Sequence, residues 1–345
     1  MVGKPEESEI LKRIVLIALA AALLVSGGAA YAVQRAVDPP GAAGEPVAVS
    51  IPQGSSTARI AEILQTEGVV PSARNFRLYV RFKKAGPFQA GDYTLEKRAP
   101  FGEIVEALSA GPEIIQDKLT VPEGLTLDQI ADRVGKLPGR SAEAFMEAVE
   151  SGDVRSEFQP ENVSLMEGLL FPDTYLLDRT DDELDILKRM VATFDRVAIE
   201  AGVPNAGQGG RVTPYEAIII ASLVEREARV PADRGPIARV IYNRLDKGMQ
   251  LQVDATVLYA LGEHKTRVLF KDLEIDSPYN TYKVAGLPPT PIAAPGRAAL
   301  EAAISPPKND FLFYVVVKPD GTHAFASTGA GHQANIRQAE RNGAR

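Results

Sequence analysis

The chain has 345 residues, 38 Lys and Arg against 45 Asp and Glu, and no Cys, so its formal net charge is −7. That acidic balance leaves no excess of cations to neutralise phosphates and argues against a nucleic-acid-binding protein. The lack of Cys removes disulfides, thiolate nucleophiles and Cys-based zinc sites together. With 45 % hydrophobic and 24 % charged residues the chain is not disordered as a whole, and its length suits about two domains.

After a short N-terminus (residues 1–13), residues 14–33 form an uncharged, mostly apolar run of 20, IVLIALAAALLVSGGAAYAV. At about 1.5 Å rise per residue it spans about 30 Å, the hydrocarbon thickness of a bilayer. Lys12 and Arg13 precede it, which by the positive-inside rule places the N-terminus in the cytoplasm. The expectation is a single-pass anchor in the cytoplasmic (inner) membrane with everything downstream outside. The alternative is a cleaved signal peptide, since Ala30-Tyr31-Ala32 resembles a cleavage site. Residues 34–46, rich in Pro and Gly, read as a linker.

The exported part carries a weak repeat at an offset of 70. Ile51-Pro52-Gln53-Gly54 followed by Ile60-Ala61 returns as Val121-Pro122-Glu123-Gly124 followed by Ile130-Ala131. Each copy reads as a strand, a turn containing Pro, and an amphipathic helix. With a short strand at residues 90–95 and helical spacing from Phe101 to Leu108, residues 47–115 have the order of a small LysM-type glycan-binding module. Residues 116–345 form the second part, divided into a repeat-like lead-in (116–180) and a core (181–345). The overall expectation is an α+β protein. In the core, residues 183–201 predict an amphipathic helix with a capped acidic start, and residues 202–210 a Gly-rich loop. An apolar strand, Lys318-Pro319-Asp320-Gly321 and a second strand from Thr322 predict a hairpin near the end.

Residues 214–229, PYEAIIIASLVEREAR, predict a helix that is apolar around most of its circumference yet ends in Glu225-Arg226-Glu227. Glu227 falls seven residues after Ile220, four after Leu223 and three after Val224, so it continues the bulky apolar stripe. Glu225 lies about 200° around the helix, so the two carboxylates cannot share one cleft as an acid and nucleophile pair. Desolvation and the negative end of the helix dipole both raise the pKa of a carboxyl group at Glu227, as a general acid near neutral pH requires. A helix-end ion pair with Arg226, Arg229 or Arg234 is the structural alternative. Glu225 suits such a pairing in solvent.

Several longer stretches occur in order: Glu167-Gly168-Leu169-Leu170-Phe171-Pro172-Asp173-Thr174-Tyr175, Ala221-Ser222-Leu223-Val224-Glu225-Arg226-Glu227, Tyr242-Asn243-Arg244-Leu245 and Met249-Gln250-Leu251-Gln252-Val253-Asp254. They are followed by Tyr279-Asn280-Thr281-Tyr282, Gly286-Leu287-Pro288-Pro289 and Ala293-Ala294-Pro295-Gly296. Together they resemble the YceG-like endolytic murein transglycosylases over essentially the whole chain. The resemblance implies an enzyme that cleaves the β-1,4 bond after N-acetylmuramic acid within nascent peptidoglycan strands, forming 1,6-anhydro ends and terminating elongation. It places the catalytic residue on Glu227 and implies cell-wall synthases as partners, with no cofactor and no metal. Ala228 and Ala255 depart from the family pattern, the first putting in doubt a helper hydroxyl beside the acid.

Against that background Asp254 could orient a sugar amide or hold a loop. Tyr279, Asn280, Thr281 and Tyr282, with Gln252, offer rings and amides suited to sugar faces and N-acetyl groups, or to ordinary loop packing. His264 sits in a Gly-flanked loop and reads as solvated, and His323 and His332 have no evident third partner for a metal. Two alternatives stand beside the lytic reading: a non-catalytic wall-binding scaffold for synthases, and a hydrolytic muramidase using Asp254 as a second carboxylate.

Overall fold

The computed structural model describes residues 44–112, 116–209, 212–262 and 268–344, together with residues 16, 17, 19, 25–28, 31 and 32. The expected anchor (14–33), most of the linker (34–46) and His264 fall largely or wholly outside these. Among the described residues no helix is long and apolar enough to cross a membrane. The chain divides into two compact units, Met1–Ile115 and Gln116–Arg345.

The first unit opens with strand β1 (Pro46–Ile51) and helices α1 (Thr57–Thr66) and α2 (Ala73–Lys83). Strand β2 (Gly91–Glu96) and helix α3 (Phe101–Ala110) complete it. The two strands pair antiparallel from Pro46 opposite Glu96 to Ile51 opposite Gly91. Their alternation sends Val49, Ile51, Tyr93 and Leu95 inward onto Leu64, Phe76, Phe101 and Leu108. Each such fully buried Phe or Leu contributes about 1.5–3 kcal/mol. Ser56 and Ser72 cap α1 and α2, each side chain accepting the N–H three residues on.

The same order recurs at the start of the second unit: β3 (Gln116–Thr120), α4 (Leu127–Val134), α5 (Ala142–Glu150) and β4 (Thr174–Asp178), with β3 and β4 antiparallel. The weak sequence repeat is therefore a repeat of β-α-α-β units. They differ in the link from second helix to closing strand, residues 84–90 in the first and 151–173 in the second. The longer link carries Glu167.

A helical core follows: α6 (Glu183–Glu200), α7 (Pro214–Glu227), α8 (Arg234–Asp246), α9 (Asp254–Leu261) and α10 (Arg297–Ile304). The hairpin β5 (Phe313–Val316) and β6 (His323–Ala326) comes next, then α11 (Gly329–Arg341). The stretch Val203–Gly209, expected as a loop, winds into a 3₁₀ helix. Glycines disfavour long helices through backbone entropy, and this stretch makes only about two turns of the tighter 3₁₀ winding. Helix α7 is the spine of the unit. Every residue from Ala217 to Val224 is buried, packed among Ile237 and Ile241 of α8 and Leu300 and Ala303 of α10. Even Ser222 is used: its hydroxyl donates to the Ile219 carbonyl and accepts the Ile292 N–H at 3.1 Å.

Candidate active site

Helix α7 starts with a reciprocal capping box between Thr213 and Glu216 and with Pro214 in its first turn. It stops at Glu227 because Ala228 leaves helical geometry for an extended conformation. Glu227 thus sits at the end of the buried stripe, where the helix emerges, and is partly exposed.

Two donors hold its carboxyl group. The Tyr314 hydroxyl donates to Oε2 at 3.1 Å, and the backbone N–H of Ala255, in the first turn of α9, donates as well. Burial, and after it the neighbouring Asp254 carboxylate, push the pKa of Glu227 up to about 7. The Tyr314 and Ala255 hydrogen bonds and the Arg229 charge pull the other way. The group is therefore distributed between acid and carboxylate near neutral pH. A residue that both gives and takes a proton in one cycle needs that property.

The surroundings explain how Tyr314 is aimed. Its ring meets His323 edge to face at 5.5 Å across the hairpin. His323 is clamped by Asp233, whose Oδ2 accepts both its backbone N–H (2.8 Å) and contacts its ring Nδ1 (2.9 Å). On the other side, the buried guanidinium of Arg244 donates to the carbonyls of Leu312, Gln250 and Leu251 and lies over the Phe313 ring at 5.3 Å. Arg244 therefore ties strand β5 to the loop before α9, the two elements that supply Tyr314 and Ala255.

The residues expected beside Glu227 separate into two groups. Asp254 belongs to the site: it is exposed, begins α9, raises the Glu227 pKa, and accepts the Tyr282 hydroxyl at 2.5 Å. Gln252 is also exposed and adopts φ 52°, with its backbone N–H donating to the Thr281 carbonyl. Asn280 and Thr281 do not present side chains to a ligand. Asn280 is buried and donates to the carbonyls of Leu273 and Ile275. Thr281 is buried, bonds Thr256 and accepts the Val253 N–H. Asn280 fastens the 279–283 loop to the 273–275 segment and Thr281 fastens it to α9, so the sugar-binding expectation is corrected for these two. Tyr279 is half-buried, its hydroxyl bonded to Thr290 and its ring 4.9 Å from that of Tyr259.

Glu225 also differs from expectation. It faces away from Glu227, but not into solvent: its side chain is 8 % exposed and accepts the Gly296 N–H at 3.1 Å beside Arg234 at 3.9 Å. Arg226 reaches back to the Gly124 carbonyl at 2.8 Å, and Gly124 in turn donates to Ala294. The acidic end of α7 thereby fastens the 121–125 turn to the 293–296 loop. The Glu123 carboxylate lies in the space that a Cβ at Gly296 would occupy, so a larger residue there would displace that side chain.

Residue-type reasoning assigned no role to a second buried carboxyl group, Glu167. It accepts the Leu127 N–H at the start of α4 and the Tyr259 hydroxyl of α9 (3.2 Å), and burial pushes its pKa up to about 7. Gly168 beside it has φ +75° and packs so closely on Pro291 that a Cβ would overlap it. Tyr314 and the His323–Asp233 pair were likewise missed. Tyr314 hides in an apolar strand, where a lone hydroxyl was the one available signal.

Among the described residues no group of three His, Asp or Glu side chains could hold a metal ion. A cavity of about 460 Å³, lined by Tyr215, Ile219, Leu245, Leu287, Pro288 and Pro289, lies at the opposite end of α7 from Glu227. Tyr215 and Glu227 are twelve residues apart, about 18 Å along the helix axis.

A profile of the YceG-like family matches residues 49–338. An endolytic murein transglycosylase of Bacillus subtilis is 40 % identical over 297 residues, covering 82 % of this chain and 81 % of that protein. One of Streptococcus pneumoniae is 32 % identical over 319 residues, covering 84 % of this chain and 58 % of that longer protein. The crystal structure of a yceG-like protein from Listeria monocytogenes superposes with a TM-score of 0.57 at 34 % identity, covering 84 % of this chain and 99 % of that one.

Proposed function

The chain belongs to the YceG-like family, and on that premise we propose that Glu227 is the general acid and base of its glycan-cleaving reaction. The protein is a lytic murein transglycosylase, a lyase acting on peptidoglycan. Family membership sets aside the alternative of a scaffold without catalytic activity.

Protonated Glu227 gives its proton to the glycosidic oxygen as the bond from C1 of N-acetylmuramic acid breaks. The resulting carboxylate then takes the proton from that sugar's own 6-hydroxyl, whose oxygen closes onto C1. The products are a free 4-hydroxyl on one fragment and a 1,6-anhydro end on the other, with no water consumed. Tyr314 and the Ala255 N–H stabilise the carboxylate between the two proton transfers, while burial and Asp254 keep it basic enough for the second.

The observation that carries this reading is the placement of Glu227: partly exposed, hydrogen-bonded on one side, and poised at about 7. Asp254 is the carboxylate that a hydrolytic muramidase would need in addition, but Tyr282 already engages it. Its role here is to set the charge around Glu227 and orient substrate. Replacing Glu227 by Gln keeps shape and removes the transferable proton. Cleavage of purified peptidoglycan should fall by about 10²–10⁴ while the circular dichroism spectrum is unchanged; full activity in the variant would overturn the assignment.

The finer setting follows from sequence. The apolar run at 14–33 supports a retained membrane anchor with the enzyme outside the cytoplasm, acting within nascent strands near cell-wall synthases. The β-α-α-β order of residues 46–96 supports a LysM-like, glycan-binding first unit.

A further inference from the structure

Helix α2 carries a surface that the catalytic reading does not use. Between Ser72 and Phe88 the chain has five cations, Arg74, Arg77, Arg81, Lys83 and Lys84, and no acidic residue, in a protein whose net charge is −7. The helix buries Phe76 and Val80 in the core of its unit. On the opposite face, at 100° per residue, Arg74, Leu78, Arg81 and Phe82 fall within about 100° of arc, with Arg77 about 40° beyond it.

Leu78 is 67 % exposed and Phe82 84 % exposed, one turn apart and flanked by these cations. Among the described residues, the ion pairs of the first unit include none of the five. A Phe and a Leu standing in solvent, flanked by arginines that make no ion pair among the described residues, have the chemistry of a segment that lies in a bilayer interface.

We propose that this face of α2 docks on an anionic lipid headgroup surface, the cations pairing with phosphates while Phe82 and Leu78 enter the boundary of the acyl chains. The basic charge alone would also suit anionic wall polymers or stem-peptide carboxylates. Those are hydrated, however, and have no hydrocarbon to cover the two apolar side chains. The distance is suitable: the continuous described stretch that holds the strands and helices of the first unit starts at Gly44, eleven residues after the end of the apolar run at Val33, a reach of at most about 40 Å. Weak lipid contact would be amplified by such a short tether. The consequence is a first unit held against the bilayer. This interaction is independent of the chemistry at Glu227 and stands however that is decided.

The absence of Cys makes the test clean. Asn75 is exposed and lies two turns before Phe82 on the same face. The full chain carrying Asn75→Cys, labelled with an environment-sensitive fluorophore, is placed in vesicles of phosphatidylcholine alone or of phosphatidylcholine with phosphatidylglycerol. A fraction of the lipid carries a nitroxide quencher. The proposal predicts quenching and a blue shift in the anionic vesicles, weakened by salt, and little in phosphatidylcholine. Since each cation near an anionic surface contributes about fivefold in partition, the R74Q/R77Q/R81Q variant should lose on the order of a hundredfold. Phe82→Ser should abolish the blue shift. Equal quenching in both vesicle types and in the triple variant, or none in anionic vesicles, would overturn the proposal. So would a fluorescence response to peptidoglycan alone.

Discussion

Replacing Tyr314 by Phe probes the balance that sets Glu227 between acid and base. The substitution keeps the ring against His323 and Phe325 and deletes the O–H that donates to Glu227 Oε2 at 3.1 Å. That hydrogen bond favours the carboxylate. A hydrogen bond to a charged group is worth about 1.5–3 kcal/mol, and about 1.4 kcal/mol corresponds to one pKa unit. Its loss should therefore raise Glu227 from about 7 to between about 8 and 9. The assay is kcat/KM for release of anhydro-muropeptides from purified glycan strands, measured across pH. In the parent enzyme activity should decline on the alkaline side as Glu227 loses its proton, with a midpoint near 7. In Tyr314→Phe that limb should move up by one to two units. An unmoved limb, or one displaced toward acid, would show that Tyr314 does not stabilise the carboxylate and that the proton inventory assigned to the site is wrong.

Asp254→Asn should move the same limb the other way, toward acid, because it removes the like charge that raises Glu227; a shift upward would contradict the geometry. Glu225→Gln should leave the pH profile in place. It should lower stability by about 1–3 kcal/mol in urea unfolding, since a nearly buried acceptor of the Gly296 N–H is weakened. Glu167, like Glu227, binds its proton more tightly folded than unfolded, so it costs nothing below its ordinary value of 4.5 and its full penalty above about 7. With both groups at about 7, stability should fall as pH rises from 5 to 8. Glu167→Gln should remove up to about 3 kcal/mol of that decline, which urea titrations at the two pH values would read.

What could be read ahead of the structure was whatever depends on local spacing. The stripe of Ile220, Leu223 and Val224 placed Glu227 at the end of a buried face because helical periodicity is a property of neighbours. The paired Ile51-Pro52 and Val121-Pro122 turns likewise announced two strand-turn-helix starts, which the structure extends to β-α-α-β units. The rest depends on partners distant in the chain. Tyr314 reaches Glu227 across 87 residues, Gly296 reaches Glu225 across 71, and Glu167 joins Leu127 and Tyr259 across 40 and 92. Nothing local to Glu225 distinguishes a carboxylate in solvent from one sealed by a loop N–H. Asn280 and Thr281 were ambiguous for a related reason: an amide or hydroxyl that could grip a sugar serves equally to satisfy buried carbonyls, and only their burial decides.

In the reaction proposed for Glu227 the sugar's own 6-hydroxyl makes an internal attack and water takes no part. Mass spectrometry of fragments released from purified peptidoglycan by the full chain in heavy-oxygen water tests it most directly. The released ends should be lighter by one water than the corresponding reducing sugars and free of heavy oxygen, all dependent on Glu227. Reducing ends carrying heavy oxygen would identify a hydrolase and contradict it.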